Sequence, residues 1–153
     1  MSTRQRLDEA LVARGLYPSR SRARDAVLRG TVMVDGEKAA KPSQTIGANN
    51  VLTIEDEAQG YVSRAALKLK HGLAEFGMSA AGKNALDIGA STGGFTQVLL
   101  EEGVAHVTAI DVGHGQMKLS DPRIALIEGL NARDLGTEHL EKPVQLIVCD
   151  VSF

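Results

Sequence analysis

The hydrophobic pattern changes rhythm along the chain. In residues 6–14, RLDEALVAR, the apolar positions Leu7, Ala10 and Leu11 fall at helical spacing, and Gly15 supplies a stop signal. Ser19 or Ser21 can cap a second helix running through Arg29, with Ala23, Ala26 and Val27 as its apolar side and Gly30 at its end. Thr31–Val34 then reads as a strand, Asp35-Gly36 as a hairpin turn, and Val51–Ile54 as a closing strand. These elements predict a small α+β unit over residues 1–54. Residues 55–60, EDEAQG, are acidic and lack periodicity, which predicts a linker. A second unit would occupy residues 61–153. It opens with a helix over 61–77 whose apolar stripe is Ala66, Leu69, Leu73 and Phe76, with Lys68, His71 and Glu75 on another side.

From residue 85 strands alternate with helix. The pattern predicts strands at Ala85–Ile88, His106–Asp111, Ile124–Glu128 and Leu146–Asp150, with a helix over Gly94–Glu102. The fold class is therefore α/β: a small α+β domain followed by part of a doubly wound, Rossmann-like parallel sheet. Val144–Cys149 is a nearly continuous apolar run, as expected for a strand buried on both faces and paired on both sides, although in a doubly wound order it would become an unprotected edge where the sequence stops at Phe153. Cys149 reads as a buried residue of that strand.

Composition narrows the function. The longest apolar runs fall far short of the roughly 20 residues of a membrane span, and the first residues carry no signal-peptide core. One cysteine in 153 residues provides neither a disulfide framework nor a metal cluster, and no histidine has a partner at metal or triad spacing. The expectation is a reduced, cytoplasmic protein without a metal. Through Ile54 there are nine Lys/Arg against five Asp/Glu, leaving eight against fourteen in the remainder. A basic first unit ahead of an acidic body fits delegation of polyanion contact to that unit, although a merely solvated basic face has the same charge. Arg20, Arg22 and Arg24 cluster at the start of the second helix, where backbone N–H groups also favour phosphate.

The stretch Leu86–Thr96, LDIGASTGGFT, carries the chemistry. A strand that runs into a glycine-rich turn and then a helix brings backbone N–H groups to the edge of a sheet. The dinucleotide fingerprint would need glycine at the positions of Gly89, Ser91 and Gly94, and Ser91 weakens that match. No Gly-Lys-Ser/Thr follows for a triphosphate loop. A ligand without a pyrophosphate suits the loop better, and S-adenosylmethionine is one. Asp87 is placed to meet its ammonium, directly or through water, and Gly89, Gly93 and Gly94 to let backbone pass close to its methionine part. Asp111, at the end of the second strand, is placed to grip ribose hydroxyls. Each acid is also explicable as a solvated strand-end carboxylate.

Two resemblances sharpen this. The core SRSRARDAVLRG, followed by VMVDG, resembles the small RNA-binding domain shared by a ribosomal small-subunit protein, bacterial tyrosyl-tRNA synthetases and pseudouridine synthases. It implies RNA contact through Arg4, Arg6, Arg20, Arg22, Arg24 and Lys41. SRAALKL (63–69), LDIGASTGGFT (86–96), AIDVGHGQ (109–116), DPR (121–123), NAR (131–133) and VCDVSF (148–153) resemble, in order, the TlyA family. Its members are ribosomal RNA 2′-O-methyltransferases of FtsJ type, also labelled hemolysin A. The resemblance implies S-adenosylmethionine-dependent methylation of a ribose, that of a cytidine, in ribosomal RNA, with ribosomal subunits as partners. It makes Lys68 and Asp150 catalytic and Asp87, Gly89, Ala90, Ser91, Thr92, Gly93, Gly94, Phe95, Asp111 and Asn131 cofactor-binding. Asn131 is equally explicable as a loop cap.

Two departures stand out. Only Met117–Ser120 separates GHGQ from DPR, fewer residues than is usual in the family, which would reshape the wall after the second strand. The family continues beyond VCDVSF with further strands and a catalytic Lys and Glu, so the chain is expected to be an N-terminal portion, poor at methyl transfer. Two other functions compete: a non-catalytic RNA-binding protein with a residual cofactor domain, and a hemolysin. The second would need a secretion signal together with a membrane span or a strong amphipathic face, and neither is apparent.

Overall fold

The structure, a computed structural model, describes residues 4–152. It divides into two compact units, residues 1–59 and 60–153.

In the first unit, β1 (Gln5–Arg6) pairs antiparallel with β4 (Thr45–Ile46). Helices α1 (Leu7–Ala13) and α2 (Arg20–Leu28) follow the predicted spans, and Ser19 caps α2 by accepting the N–H of Arg22. Strand β2 (Val32–Val34) lies between β3 (Glu37–Lys38) and β5 (Leu52–Ile54), both antiparallel to it. Asp35 and Gly36 turn the hairpin with positive φ at both residues, the conformation for which Asp-Gly is selected. The core gathers Leu7, Leu11, Tyr17, Ala23, Ala26, Val27, Val32 and Ile46.

Inside this unit Asp8 is fully buried. Arg6 grips it with two hydrogen bonds of 3.0 Å, and Arg20 Nε adds one at 3.2 Å. The Arg6 bonds hold its carboxyl well below the ordinary range, at about 2. Residues 55–59 belong to this unit. The Asp56 carboxylate accepts from Arg29 at 2.9 Å and from the Tyr17 hydroxyl at 3.3 Å, and Ala58 is buried.

The second unit is a four-stranded parallel sheet in the order β8 (Ile124–Glu128), β7 (His106–Asp111), β6 (Asn84–Ile88), β9 (Leu146–Cys149). Helices α3 (Ala65–Glu75) and α4 (Gly94–Glu101) join one core with Ala85, Val107, Ala109, Leu146 and Val148. Helix α3 starts later than its apolar pattern suggests. Gln97 holds the preceding segment, accepting the N–H of Val62 and donating to the Gly60 carbonyl.

Three expectations are corrected here. Phe76 is 77% exposed: it is the C-cap of α3, where Gly77 takes a left-handed conformation and the chain leaves the helix. In β9 only Leu146 and Val148 are buried; Ile147 and Cys149 are exposed. Side chains alternate across the pleat, β9 pairs only with β6, and the described residues cover one of its faces.

Candidate functional site

Strand β6 pairs with β7 on one side and β9 on the other, so the chain leaves the sheet in opposite directions at this point. Such a switch point opens a crevice beyond the carboxyl ends of the strands, where α/β sheets bind ligands. Here a cavity of about 760 Å³ is walled by Gly89 and Ser91 after β6, Asp111 and Val112 at the end of β7, Leu130–Arg133, and Asp150–Ser152 after β9. A smaller cavity of about 280 Å³ is lined by Ser63, Ala65 and Lys68 of the α3 region, Gly89–Thr92, Gly94 and Phe95 of the glycine loop and helix start, and Asp150 and Ser152. Gly89, Ser91, Asp150 and Ser152 belong to both.

The glycine loop is built by the chain's own packing before any ligand enters. Gly89, with φ near +78°, has no room for a Cβ, which would fall 2.7 Å from the Asp150 carbonyl and from Val151 Cγ1. At Gly93, with φ near +104°, a Cβ would meet Met117 and Leu119. The short 117–120 segment therefore covers the loop, and the Lys118 N–H donates to the Thr92 carbonyl. Ser91 also adopts positive φ, near 50°, and its N–H donates to Asp111 Oδ2 at 2.8 Å. The other oxygen, Oδ1, accepts from Gly113. Two backbone donors thus fix Asp111 against the cavity wall.

Asp87 lies deeper than its motif implied. It is 1% exposed and absent from the lining of both cavities. Thr96 of α4 donates its hydroxyl to Oδ2 at 2.7 Å, while Oδ1 has no partner. Burial pushes the carboxyl up to about 6, against the pull of the Thr96 hydrogen bonds; Asp111 and Asp150 add repulsion.

Lys68 and Asp150 stand 82 positions apart in sequence. Helix α3 and the end of β9 bring them together, with Lys68 Nζ at 3.0 Å from Asp150 Oδ2. Both side chains are open to solvent at the rim of the smaller cavity. Asn131 caps the turn at Ala132–Asp134 by accepting the Arg133 N–H, and it also lines the larger cavity.

The arginines of the first unit differ in state. Arg6 and Arg20 are engaged by Asp8 and Glu9. Arg4, Arg24 and Lys41 are exposed, and Arg22 is half-buried. Arg20, Ser21, Arg24, Asp25 and Leu28 line a shallow hollow along α2. Sequence reasoning missed Thr96, whose signal was a threonine in the first turn after the glycine loop. It also missed Ser63, Val112, Leu130, Arg133 and Ser152, which flank the recognised motifs and gain meaning only when loops from different strands meet.

Residues 61–153 match the FtsJ-like methyltransferase family. The chain belongs to that family. Residues 5–52 match the S4 domain, so an S4 domain precedes an FtsJ-like domain. The chain is 45% identical, along its whole length, to the 16S/23S rRNA (cytidine-2′-O)-methyltransferase TlyA of Mycobacterium tuberculosis, and covers 59% of that protein. It is 43% identical to hemolysin A of Brachyspira hyodysenteriae over 97% of its own length and 63% of that protein's. A solved Streptococcus thermophilus structure, described as a candidate hemolysin, superposes with a TM-score of 0.57 at 36% identity, covering 92% of this chain and 53% of that one. The TlyA resemblance carried by the six motifs is borne out. The chain spans about three fifths of the length of the curated relatives it matches.

Proposed function

We propose that this FtsJ-like protein uses S-adenosylmethionine to methylate a ribose 2′-hydroxyl, that of a cytidine, in ribosomal RNA, in the cytoplasm. The observation that carries the reading is the 3.0 Å Lys68–Asp150 pair on the rim of a cavity that shares its walls with the glycine loop.

The residues present fit the cofactor. The larger cavity lies within the ~300–1,000 Å³ range of small-molecule sites. Asp87, Asp111 and Asp150 gather negative charge at one sheet edge, which suits a ligand with an ammonium and a sulfonium. Gly89–Phe95 would hold the methionine part, Asp111 the ribose hydroxyls, and Val112, Leu130 and Asn131 the adenine side. When bound, S-adenosylmethionine supplies a methyl group on positively charged sulfur, electrophilic toward a hydroxyl oxygen.

The remaining chemistry belongs to the chain. A 2′-hydroxyl is a weak nucleophile whose proton must leave as its oxygen–carbon bond forms. Asp150 orients that hydroxyl by accepting its hydrogen bond and takes its proton as the oxygen–methyl bond forms and the methyl–sulfur bond breaks, passing the proton on to solvent, while Lys68 Nζ fixes the carboxylate and stabilises negative charge developing on the oxygen. Alignment of oxygen and methyl carbon supplies much of the rate. The S4 domain would bind ribosomal RNA through exposed cations such as Arg24 and Lys41.

Calorimetry with S-adenosylmethionine, and transfer of tritiated methyl from it into ribosomal RNA, test the reading. Cofactor binding is expected, with ribose methylation slow but measurable. Cofactor binding with no transfer into any ribosomal RNA would favour the RNA-binding platform instead, and no cofactor binding would sink the reading.

A further inference from the structure

Thr96 lines neither cavity, yet it sits at a structurally sensitive point. Asp87 is the next-to-last residue of β6 and Thr96 the third of α4, so their 2.7 Å hydrogen bond ties the strand and helix that flank the 89–93 loop to each other. Asp87 is held rigidly, its backbone paired with Ala109 of β7 and Val148 of β9. Within the tied loop Gly89, Ser91 and Gly93 all take left-handed conformations, an arrangement that persists only when its surroundings determine it. Thr96 is fully buried, and a buried hydroxyl is costly unless it donates to an acceptor. Packing alone would be served by valine.

Asp87 Oδ1 is the one buried side-chain oxygen or nitrogen without a partner among the described residues. An orphaned buried oxygen costs stability and calls for an explanation beyond folding. The charged groups facing it are Asp111 at the end of β7 and Asp150 after β9; both are acidic, and Lys68 of α3 is engaged by Asp150. An ionised Asp87 therefore lacks a cation in the protein itself.

We infer that Thr96 is a positioning residue for the cofactor site: its hydroxyl holds the Asp87 carboxyl in place behind the glycine loop, where its negative charge favours a cationic cofactor. Thr96 acts through Asp87 and the loop and does not touch the cofactor. The inference rests on the S-adenosylmethionine reading above.

Calorimetric titration of the 153-residue protein with S-adenosylmethionine between pH 5 and pH 7.5 tests it. The wild-type association constant is expected to rise through the Asp87 titration. Thr96→Val should move that rise upward; for a displacement of about one pH unit, binding would be roughly fivefold weaker at pH 6 and under about twofold weaker at pH 7.5. Thr96→Ser, which keeps the hydroxyl, should restore the wild-type curve. A Thr96→Val curve that coincides with wild type, or is lowered by one factor at every pH and not restored by serine, overturns the inference. Asp87→Asn provides an arm that does not depend on Thr96→Val folding. It should bind more weakly, with the Asp87-dependent rise gone, and a wild-type pH curve there overturns the inference too. Wild-type protein that binds no S-adenosylmethionine at any pH overturns the cofactor reading, an outcome distinct from all of these.

Discussion

Lys68 and Gly89 show how much a single position carries in this site. Lys68→Ala or Asp150→Asn removes one partner of an exposed pair, so folding should be almost unaffected. Methyl transfer is expected to fall by about 10²–10⁴-fold while S-adenosylmethionine binding persists, read by single-turnover methylation beside calorimetry. Comparable losses in binding would assign the pair to the cofactor instead. Gly89→Ala forces a Cβ against the Asp150 carbonyl at a positive-φ position. It should destabilise the second unit by about 1–3 kcal/mol, measured by urea denaturation, and weaken cofactor binding as the loop shifts. Lys68 is singled out in its own neighbourhood only by the resemblance that SRAALKL carries; periodicity alone reads it as an ordinary surface lysine. Its significance comes from a carboxylate 82 residues away.

At the scale of the element, boundaries follow local chemistry. Ser19 accepts the Arg22 N–H and so sets the start of α2; Ser19→Ala is expected to cost about 1 kcal/mol in denaturant unfolding of the first unit. Loss of helix content with no change in midpoint would argue against a stabilising cap. The strands of the second unit were legible because each is a dense apolar run between turn residues. The late start of α3 was not, because Gln97, from a different helix, claims the backbone ahead of it. Phe76 matched the helical stripe in spacing yet fell outside the helix, since a periodic pattern says nothing about where Gly77 lets the chain turn away.

For the whole molecule, two buried carboxylates act in opposite pH windows. Asp8, held near 2 by Arg6 and Arg20, contributes stability that is present above the unfolded value near 3.8 and lost as pH falls toward 2. Asp87 is raised to about 6, so the folded state keeps its proton longer than the unfolded chain does. Its contribution is full below about pH 4 and declines as pH rises to about 6, by on the order of 3 kcal/mol. Unfolding free energies of wild type and Asp87→Asn should therefore diverge across that interval and run parallel above it; parallel curves throughout would contradict the burial argument. For RNA, Arg24→Ala should lower the salt slope of binding by roughly 0.7–0.9 without unfolding the first unit. Arg20, engaged by buried Asp8, should instead lose stability when replaced. An unchanged slope for Arg24→Ala would move the RNA surface elsewhere.

Hydrophobic spacing, turn residues and the order of motifs determined the elements, the α/β class, the glycine loop and the family, because these depend on neighbours within a few positions of one another. The same local signals wrongly placed Cys149 and Ile147 in the core: an apolar run does not reveal which of its faces will be covered. Only the tertiary structure decided that Asp87 lies behind the cavity wall with Thr96, and that Asp111 is anchored by two backbone amides. It also paired Arg20 with Asp8 and set Lys68 beside Asp150. Each of these depends on which distant residue arrives at hydrogen-bonding distance, and parallel strand order, rather than spacing along the chain, sets that in the sheet.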